Sequence, residues 1–217
     1  MKTLIVSDLH LTHVFDKKKA VFLQQLIASC DNVVLNGDFW DGYRTTFEAF
    51  LASDWNTLFP LLKEKKTVYL YGNHDKRKFS DGRVSLFSAQ QKDSHELVLN
   101  NTTYHIEHGH TLYPSLDERY ALSRKSLFYI NVVSQNIERF LVFINSPHNF
   151  ILKQGNKKIK KKLQSTQFPY WYLCGHVHYA ELDSKNMFAN SGFIQFGKAS
   201  YLIIDSSGPH LHTNHYK

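Results

Sequence analysis

The chain has 217 residues, of which 42% are hydrophobic and 14% aromatic, and a formal net charge of +7. This length and composition can bury one good core and exclude a disordered chain. Two cysteines far apart in the sequence exclude a disulfide scaffold and favour a reducing compartment. The sequence shows no secretion signal, and no uncharged apolar run reaches the roughly 18 to 20 residues that span a bilayer, so we expect a cytoplasmic protein.

The predicted elements alternate between strands and helices along most of the chain. The aliphatic run Thr3 to Val6 predicts the first strand, and Asp16 to Cys30 predicts a helix with a capping aspartate. Val33 to Asn36 predicts the second strand. The following stretch, Thr45 to Lys65, predicts further helix, in which Pro60 marks a break or a second start.

The second half of the sequence is richer in predicted strands. Three longer ones are expected at Thr67 to Tyr71, Thr103 to Glu107 and Tyr170 to Cys174. Three short ones, divided by glycine, are expected at Phe193 to Phe196, Ser200 to Asp205 and Pro209 to Thr213. Such an ending suits a second sheet packed on the first.

Short polar clusters follow most of these strands. In chain order they are Asp8-Leu9-His10, Gly37-Asp38, Gly72-Asn73-His74-Asp75, His108-Gly109-His110 and Gly175-His176-Val177-His178. Because ligands at the ends of neighbouring strands meet at one edge of a sheet, we expect these side chains to converge. Carboxylate, imidazole and amide groups without a thiolate suit Mn, Fe or Zn and do not suggest a closed structural zinc site. The set is too large for one ion and indicates a two-metal hydrolytic centre.

Each cluster alone has a plainer explanation, since a single Asp or His after a strand is usually a cap, a turn former or a satisfied polar residue. The five clusters in this order, however, resemble the calcineurin-like metallophosphoesterase superfamily over nearly the whole chain. The resemblance implies an α/β fold, a four-layer αββα sandwich forming a single domain over residues 1–217. It also implies an enzyme, a hydrolase of phosphoester or phosphoanhydride bonds in which a metal-activated water attacks phosphorus and no protein nucleophile is required.

The resemblance further implies a role for each cluster residue. The first of two divalent ions, for which Mn is the first expectation and Fe or Zn are alternatives, would be held by Asp8, His10, Asp38 and His178. The second ion would be held by Asp38, Asn73, His108 and His176, so that Asp38 bridges the two. His74 would be a catalytic residue that faces the phosphate, and Asp75 would orient it. His110 would lie outside the ligand set.

The stretch from about 113 to 167, between the fourth and fifth clusters, departs from a minimal enzyme of this kind. Apolar residues recur there at helical spacing, at Leu127, Ile130, Val133, Ile137, Phe140, Leu141 and Ile144. The opposite face is broken by Gln135, Asn136, Glu138 and Arg139. Such a helix either packs on the sheet as a crossover or forms a lid, because both ends of the insertion lie beside expected metal ligands.

The net positive charge of the chain also lies in this insertion. The basic residues concerned are Arg139, Lys153, Lys157, Lys158, Lys160, Lys161 and Lys162, and outside them 19 basic residues balance 19 acidic ones. A lysine run is usually a solvated helix face. Beside an apolar helix it indicates contact with an anionic membrane surface or an anionic amphiphile, here through residues 127–162. Nucleic acid is a less suitable partner, because the run contains no aromatic residues that could stack on bases.

One branch of the superfamily shares this combination. Ser7-Asp8-Leu9-His10-Leu11, Gly37-Asp38-Phe39-Trp40-Asp41 and a basic, apolar insertion resemble the UDP-2,3-diacylglucosamine hydrolases of lipid A synthesis. The resemblance implies a nucleotide-linked lipid substrate, cleaved to a lipid monophosphate and UMP. The candidate substrate contacts are Arg44, Arg77, Tyr120 and Arg124. That branch has Gly-Asn-Arg-Asp and His-Gly-Asp where this chain has Gly-Asn-His-Asp and His-Gly-His.

Other functions remain open at this point. A soluble phosphatase or a cyclic-nucleotide phosphodiesterase would use the same metal ligands and His74, and a nuclease could use the lysine run for phosphate contacts. A protein of a different class, a non-catalytic metal-binding interaction scaffold, usually loses ligands or the catalytic histidine. This chain retains all of them.

Overall fold

The computed structural model describes residues 1–120, 122–143 and 148–216. The strands are β1 (Thr3–Val6), β2 (Asn32–Asn36), β3 (Val68–Leu70), β4 (Gln90–Lys92), β5 (Ser94–Leu99), β6 (Thr102–Glu107), β7 (Trp171–Cys174), β8 (Glu181–Asp183), β9 (Phe188–Asn190), β10 (Ile194–Gln195), β11 (Lys198–Asp205) and β12 (Gly208–His215). The α-helices are α1 (Lys17–Ala28), α2 (Phe47–Leu51), α3 (Phe59–Glu64), α4 (Leu116–Arg119), α5 (Arg124–Phe143) and α6 (His148–Ser165).

These strands form two sheets. The first sheet has the order β10-β11-β1-β2-β3-β4, with β12 also paired to β11, and the second has the order β5-β6-β7-β9-β8. Strands β1 to β4 run parallel, as do β6, β7 and β9. The connections from β1 to β2, from β2 to β3 and from β6 to β7 run through α-helices, as the alternation of strand and helix patterns in the sequence predicts.

Four layers follow from the side chains on each strand. In β1, Ile5 faces the second sheet and packs in one cluster with Ile106 and Leu173, whereas Leu4 faces the other way, into a cluster with Leu23 of α1. Successive residues of a strand point to opposite faces, so an uninterrupted apolar run marks a strand that is covered on both sides. Helices α1 to α3 therefore cover the first sheet, and α6 covers the outer face of the second. The predicted αββα sandwich is confirmed.

The three predicted strands at the end of the sequence occupy a different place from the one expected. They extend the first sheet, because β11 pairs antiparallel with β1, with Leu202 opposite Ile5. The second sheet is built around β6 and β7 instead, with β5, β8 and β9 beside them. Strands β8 and β9 have three residues each, which is too short to show a recognisable alternation.

The helical stretch predicted at 45–65 is divided. Helix α2 is followed by a 3-10 turn at Asp54–Leu58 and then by α3, where Pro60 lies in the first turn. Proline is tolerated there because the first amide groups of a helix have no partner within the helix. The predicted break is therefore correct.

Helix α6 is the packing element of the insertion. Its Ile159 has no solvent exposure and contacts Tyr172 and Phe188 on the outer face of the second sheet. The amide of Asn156, also fully buried, donates to the carbonyl of Tyr179 at 3.0 Å and to a carboxylate oxygen of Glu181 at 2.8 Å. It also accepts from Asn190 at 2.9 Å. These contacts attach α6 to the sheet.

Helix α5 has the predicted apolar stripe, but the stripe faces outward. Ile130, Val133, Ile137 and Phe140 are between 44% and 61% exposed. Of the side chains described for α5, none belongs to the three hydrophobic clusters. Ile144, assigned to the same stripe, lies outside the described residues. No helix in the described part of the chain is both long and apolar enough to cross a membrane.

Removing the amide of Asn156 tests how α6 is attached. Asn156→Ala leaves buried partners on Tyr179, Glu181 and Asn190 without their hydrogen bonds. We expect the free energy of unfolding, measured by urea titration, to fall by about 2–4 kcal/mol. Lys153→Ala, at an exposed position of the same helix, is the matched control and should change it by less than about 0.5 kcal/mol. A loss no greater than that of the control would show that these bonds do not hold the helix.

Candidate metal centre

The five polar clusters meet where the ends of the two sheets adjoin. Asp8, Asp38 and Asn73 follow β1, β2 and β3 of the first sheet, and His108 and His176 follow β6 and β7 of the second. The clusters therefore converge as predicted, but on the junction of two sheets and not on one edge of a single sheet. Ligands from opposite layers can then surround a site from both sides.

Two carboxylates lie at the middle of this arrangement. Oδ1 of Asp8 is 3.1 Å from Nε2 of His178 and 3.9 Å from Nε2 of both His10 and His108. Oδ2 of Asp38 is 3.2 Å from Nε2 of His108 and 3.7 Å from Nε2 of His10. Asp38 therefore lies between His10 and His108, which are the expected ligands of different ions, and this is the position that a bridging carboxylate needs.

Asn73 and His176 complete the second set of candidate ligands. Oδ1 of Asn73 is 3.2 Å from Nε2 of His108. The backbone of His176 donates to Oδ2 of Asp8 at 2.9 Å, and its ring Nε2 is 2.8 Å from the carbonyl oxygen of Tyr113. The carbonyl requires a proton on Nε2, so Nδ1 is the nitrogen of His176 through which it would bind a cation. Burial, followed by the charge of His108, lowers the pKa of the His176 ring to about 3, which keeps it neutral.

The charge of the buried groups fits divalent cations. Asp8, Asp38, Asp41 and Asp75 are at most 1% exposed. Oδ1 of Asp8 is buried and forms no well-aligned hydrogen bond with the described residues, although Nε2 of His178 lies 3.1 Å away. A buried carboxylate oxygen in this state is costly unless a positive charge faces it. Two of three groups of candidate ligand atoms in the described chain contain Asp8, one with His10 and His178 and the other with Asp38 and His108.

The buried carboxylates and the neighbouring histidines shift each other's pKa values. Burial raises the pKa of the Asp8 carboxyl, but His178 and His108 outweigh it and hold that pKa at about 2. Burial likewise lowers the pKa of His108, but Asp38 and Asp8 outweigh it and raise the pKa to about 10. Asp38 and Asp8 therefore stay ionised and attract positive charge to this point.

The backbone is strained at five of the candidate ligands. Asp8, His10, Asp38, His176 and His178 have φ values between 47° and 66°, in the left-handed region. Each such residue costs about 1 kcal/mol or more, and such strain is concentrated at functional sites.

Neighbouring residues hold this strained backbone in place. The buried ammonium of Lys19 donates to the carbonyl of Leu9 at 2.6 Å and so supports the loop between Asp8 and His10. At Gly175 a side chain would collide with Ser7 and Asp8, so only glycine allows this approach.

The two aspartates near His74 have roles that differ from the prediction. Asp75 was expected to orient His74, but its carboxylate accepts three backbone N–H groups, from Gly72 at 2.7 Å, Phe39 at 2.8 Å and Asp38 at 3.0 Å. The carboxylate beside the ring is that of Asp41, with Oδ1 3.2 Å from Nδ1 of His74. Asp75 holds the backbone of the loop that carries Asp38, and Asp41 is the carboxylate in position to orient His74.

Asp41 also stands behind His10. Its Oδ2 is 3.8 Å from Nδ1 of His10, whose Nε2 faces Asp8 and Asp38. His10, Asp41 and His74 form the third group of candidate ligand atoms. We interpret this group as support and not as a third ion site, because a carboxylate behind a metal-binding imidazole is the usual way to fix the ring. Asp41 is the last residue of Gly37-Asp38-Phe39-Trp40-Asp41, and its spacing from Asp38 gave no sign of this role.

Helix α5 supplies further polar groups to the centre. Oε1 of Glu138 is 2.5 Å from Nδ1 of His178, Nε2 of Gln135 is 3.2 Å from Oδ2 of Asp41, and Nδ2 of Asn131 is 3.1 Å from Nδ1 of His74. Sequence reasoning assigned Gln135 and Glu138 to the face opposite the apolar stripe but gave them no function. Their spacing with Asn131, four and seven residues along the helix, was the available signal.

The candidate substrate contacts are spread around this centre. Arg44 donates to Gln135 of α5, and the guanidinium of Arg77 lies 4.5 Å from the ring centroid of Tyr71 and 3.3 Å from Asp93. Tyr120 is 61% exposed. Arg124 begins α5, and its side chain lies outside the described residues.

His110 lies beside His108, with ring centroids 5.5 Å apart, and its Nε2 is 3.7 Å from Glu118. It is therefore close to the candidate ligands, but among the described residues it belongs to none of the three groups of candidate ligand atoms.

Comparison with known families agrees with the geometry. Residues 1–180 match the sequence profile of the calcineurin-like phosphoesterases. The chain belongs to this family. No curated protein sequence matches it.

Several solved structures share the fold. YfcE, a phosphoesterase from E. coli, aligns with 15% identity over 100% of both chains and a TM-score of 0.51. Vps29 from Entamoeba histolytica, complexed with Zn²⁺, aligns with 12% identity over 100% of both chains and a TM-score of 0.50. An archaeal phosphodiesterase aligns with 14% identity over 99% of this chain and 100% of its own, also with a TM-score of 0.50. At such identities the similarity shows the fold alone.

The shared position of Asp38 leads to a test by metal analysis. Asp38→Ala removes the carboxylate that faces both His10 and His108, so we expect loss of both ions after dialysis against trace metal. His178→Ala should weaken one site and leave partial occupancy. Asp93→Ala, whose side chain is 81% exposed, is the matched control and should keep wild-type metal content. Two ions retained by the Asp38 variant would contradict the bridging assignment.

Proposed function

We propose that this protein is a phosphoester hydrolase dependent on two divalent metal ions. The observation that carries the proposal is the position of His74 against the bridging carboxylate. Its backbone N–H donates to Oδ1 of Asp38 at 2.8 Å, and its ring lies 4.4 Å from that of His10, centroid to centroid. An imidazole therefore lies beside the candidate metal ligands, and in this proposal it acts as a general acid toward a phosphate bound there.

The two ions would be held by the ligand sets inferred from the sequence. Asp8, His10, Asp38 and His178 would hold the first, and Asp38, Asn73, His108 and His176 the second. Bound divalent ions supply Lewis-acid stabilisation of phosphate charge and a water of lowered pKa. Mn is the first expectation, and Fe and Zn accept the same ligands.

The side chains of the centre divide the remaining work. With Nδ1 of His74 engaged by Asp41, Nε2 is the nitrogen through which His74 would meet the phosphate or donate a proton to the leaving oxygen. A buried carboxylate behind the ring stabilises its protonated form, which the departing group needs as a proton donor. A thiol nucleophile is unsuitable, because burial raises the pKa of Cys174 well above its usual value and Cys30 is also buried.

The role of His74 can be separated from metal binding. His74→Ala should keep both ions yet lose roughly 100-fold or more in kcat, the usual effect of removing one acid–base or charge-stabilising partner. Asn73→Ala, the neighbouring substitution, should instead reduce metal content. His210→Ala, on β12, is the control histidine and should leave both quantities unchanged. Equal metal loss in the His74 and Asn73 variants would place His74 among the ligands and refute this role.

For the substrate we propose a nucleotide-linked lipid such as UDP-2,3-diacylglucosamine, bound at an anionic membrane surface. Two surfaces support this. The apolar face of α5, formed by Ile130, Val133, Ile137 and Phe140, is exposed. The lysine face of α6, formed by Lys153, Lys157, Lys158, Lys161 and Lys162, is exposed as well. Exposed apolar and cationic groups together are typical of peripheral membrane contact.

Lys160 does not belong to the lysine face. Its ammonium lies 2.7 Å from Glu181 and 2.6 Å from Asp183, so its charge is already compensated within the protein. The lysine run is therefore not one uniform surface, and any test of membrane binding should leave Lys160 intact.

Vesicle binding and substrate preference test the lipid proposal together. Changing Lys157, Lys158 and Lys161 to Gln should weaken binding to vesicles containing anionic phospholipid by roughly 100-fold, since each lysine near such a surface contributes about 1 kcal/mol. Changing Lys17, Lys18 and Lys185, which are exposed elsewhere, is the matched control. Hydrolysis of a small soluble ester should be unaffected in both variants.

The wild-type protein should also rank a nucleotide-diphospho-lipid above a soluble monoester and a cyclic diester. If it ignores anionic vesicles and hydrolyses a soluble ester best, the lipid proposal fails and a soluble phosphatase or phosphodiesterase is the better assignment. If it binds metal but hydrolyses none of the three substrates, the interaction-scaffold alternative is supported.

A further inference from the structure

Three polar residues of α5 reach the candidate metal centre from one face of the helix. Asn131, Gln135 and Glu138 contact His74, Asp41 and His178 respectively. The opposite face of the same helix is the exposed apolar face defined above. This orientation is the reverse of the usual one, in which the apolar stripe is buried and the polar face meets water.

We propose that α5 is a detachable part of the metal centre, in which Glu138 positions the metal ligand His178 while Asn131 and Gln135 position the catalytic His74. This proposal rests on the proposed function and adds a means of regulating it. When α5 is docked, both histidines are held for ion binding and proton transfer. When α5 is displaced, both lose their supporting groups.

Glu138 acts on the ligand through the far side of the ring. Nε2 of His178 faces Asp8 at 3.1 Å, and Nδ1 faces Glu138 at 2.5 Å. A carboxylate on the second nitrogen fixes the tautomer and orientation of a ligand imidazole and makes it a stronger donor to metal. The unusual feature here is that this carboxylate comes from the insertion and not from the sandwich that supplies the ligands.

Asn131 and Gln135 act on His74 in two ways. Asn131 is 6% exposed, and its side-chain amide lies 3.1 Å from Nδ1 of the ring. Because the proton on Nδ1 is directed at Asp41, the amide supports the ring with its oxygen turned toward Nδ1, as an acceptor. Gln135 donates to Oδ2 of Asp41, the carboxylate whose other oxygen meets the same ring nitrogen. Gln135 also accepts from Arg44, which ties the amide to the sandwich. Asn131 and Asp41 thus lie on either side of Nδ1 of His74, and Gln135 holds Asp41 in place. In this proposal the arrangement directs Nε2 of His74 toward the metal centre.

The attachment of α5 is polar in character. Its described side chains contribute nothing to the three hydrophobic clusters, in contrast to α6, whose Ile159 is fully buried. Hydrogen bonds of this kind each add only about 1–2 kcal/mol net, because water offers similar partners when the helix moves away. An apolar surface or acyl chain that binds the outer face of α5 can therefore displace the helix at a small cost in free energy. His74 and His178 then lose the groups that position them.

Metal affinity tests the role of Glu138 without any substrate. Titration of metal-free protein should show that Glu138→Ala binds one of the two ions 10-fold to 100-fold more weakly, the usual effect of removing a carboxylate behind a ligand histidine. Glu138→Gln keeps an acceptor oxygen for Nδ1 and should recover part of the affinity. Asn136→Ala, whose side chain bonds within α5 to the carbonyl of Val132, is the matched control. Wild-type affinity in Glu138→Ala would overturn the proposal.

Kinetics test the role of Asn131, and hydrogen exchange tests the coupling between α5 and the bound metal. Asn131→Ala should bind both ions normally and lower kcat by about 10-fold with KM little changed, because His74 loses a positioning group. Binding is reciprocal, so metal should slow amide hydrogen exchange in α5 of the wild type and not in Glu138→Ala. Exchange in α5 that is insensitive to metal in the wild type would contradict the coupling. A wild-type protein that binds no metal would instead refute the proposed function itself.

Discussion

Burying four carboxylates at one point is the constraint on which the rest of this structure depends. Asp8, Asp38, Asp41 and Asp75 have almost no contact with solvent. Ionised carboxylates can be buried only when charge or hydrogen bonds replace the water they lose. Asp75 accepts hydrogen bonds from backbone N–H groups, and Asp41 is stabilised by imidazoles. Asp8 and Asp38 face imidazoles as well and would also be neutralised by divalent cations. The left-handed backbone and the close approach at Gly175 follow from bringing these groups together.

The insertion contributes two helices, of which α5 contacts the buried carboxylates and histidines and α6, among the described residues, does not. Helix α6 is a packing layer that exposes lysines, and α5 directs polar groups into the centre and exposes apolar ones. The packing of α6 on the second sheet fits a crossover. The lid stays a hypothesis, and it concerns α5. The orientation of α5 follows from the centre, because a buried imidazole such as His178 gains more from a carboxylate than an apolar surface gains from another contact.

The convergence of the candidate ligands could be predicted from local patterns, whereas the sandwich was predicted from the resemblance that the five clusters carry. A covered strand followed by Asp or His shows in about six adjacent residues, as at Thr3 to Asp8. Other features depend on distant partners. Amphipathicity shows that the two faces of α5 differ but not which one is turned inward. In the sequence, Asp75 and Asp41 are the same residue type and each lies within three positions of a candidate ligand. Only the three-dimensional position of His74 distinguishes them.

The pairing of β1 with β11 has a consequence for how the chain acquires its fold. Thr3 lies opposite Ile204, so one side of β1 is completed by residues about two hundred positions later in the sequence. Contacts between residues so far apart in the sequence form slowly, because the intervening chain must first be organised. During synthesis on the ribosome, the edge of β1 that later pairs with β11 would stay exposed until β11 emerges. A chaperone that shields this edge would protect the nascent protein from strand-to-strand association.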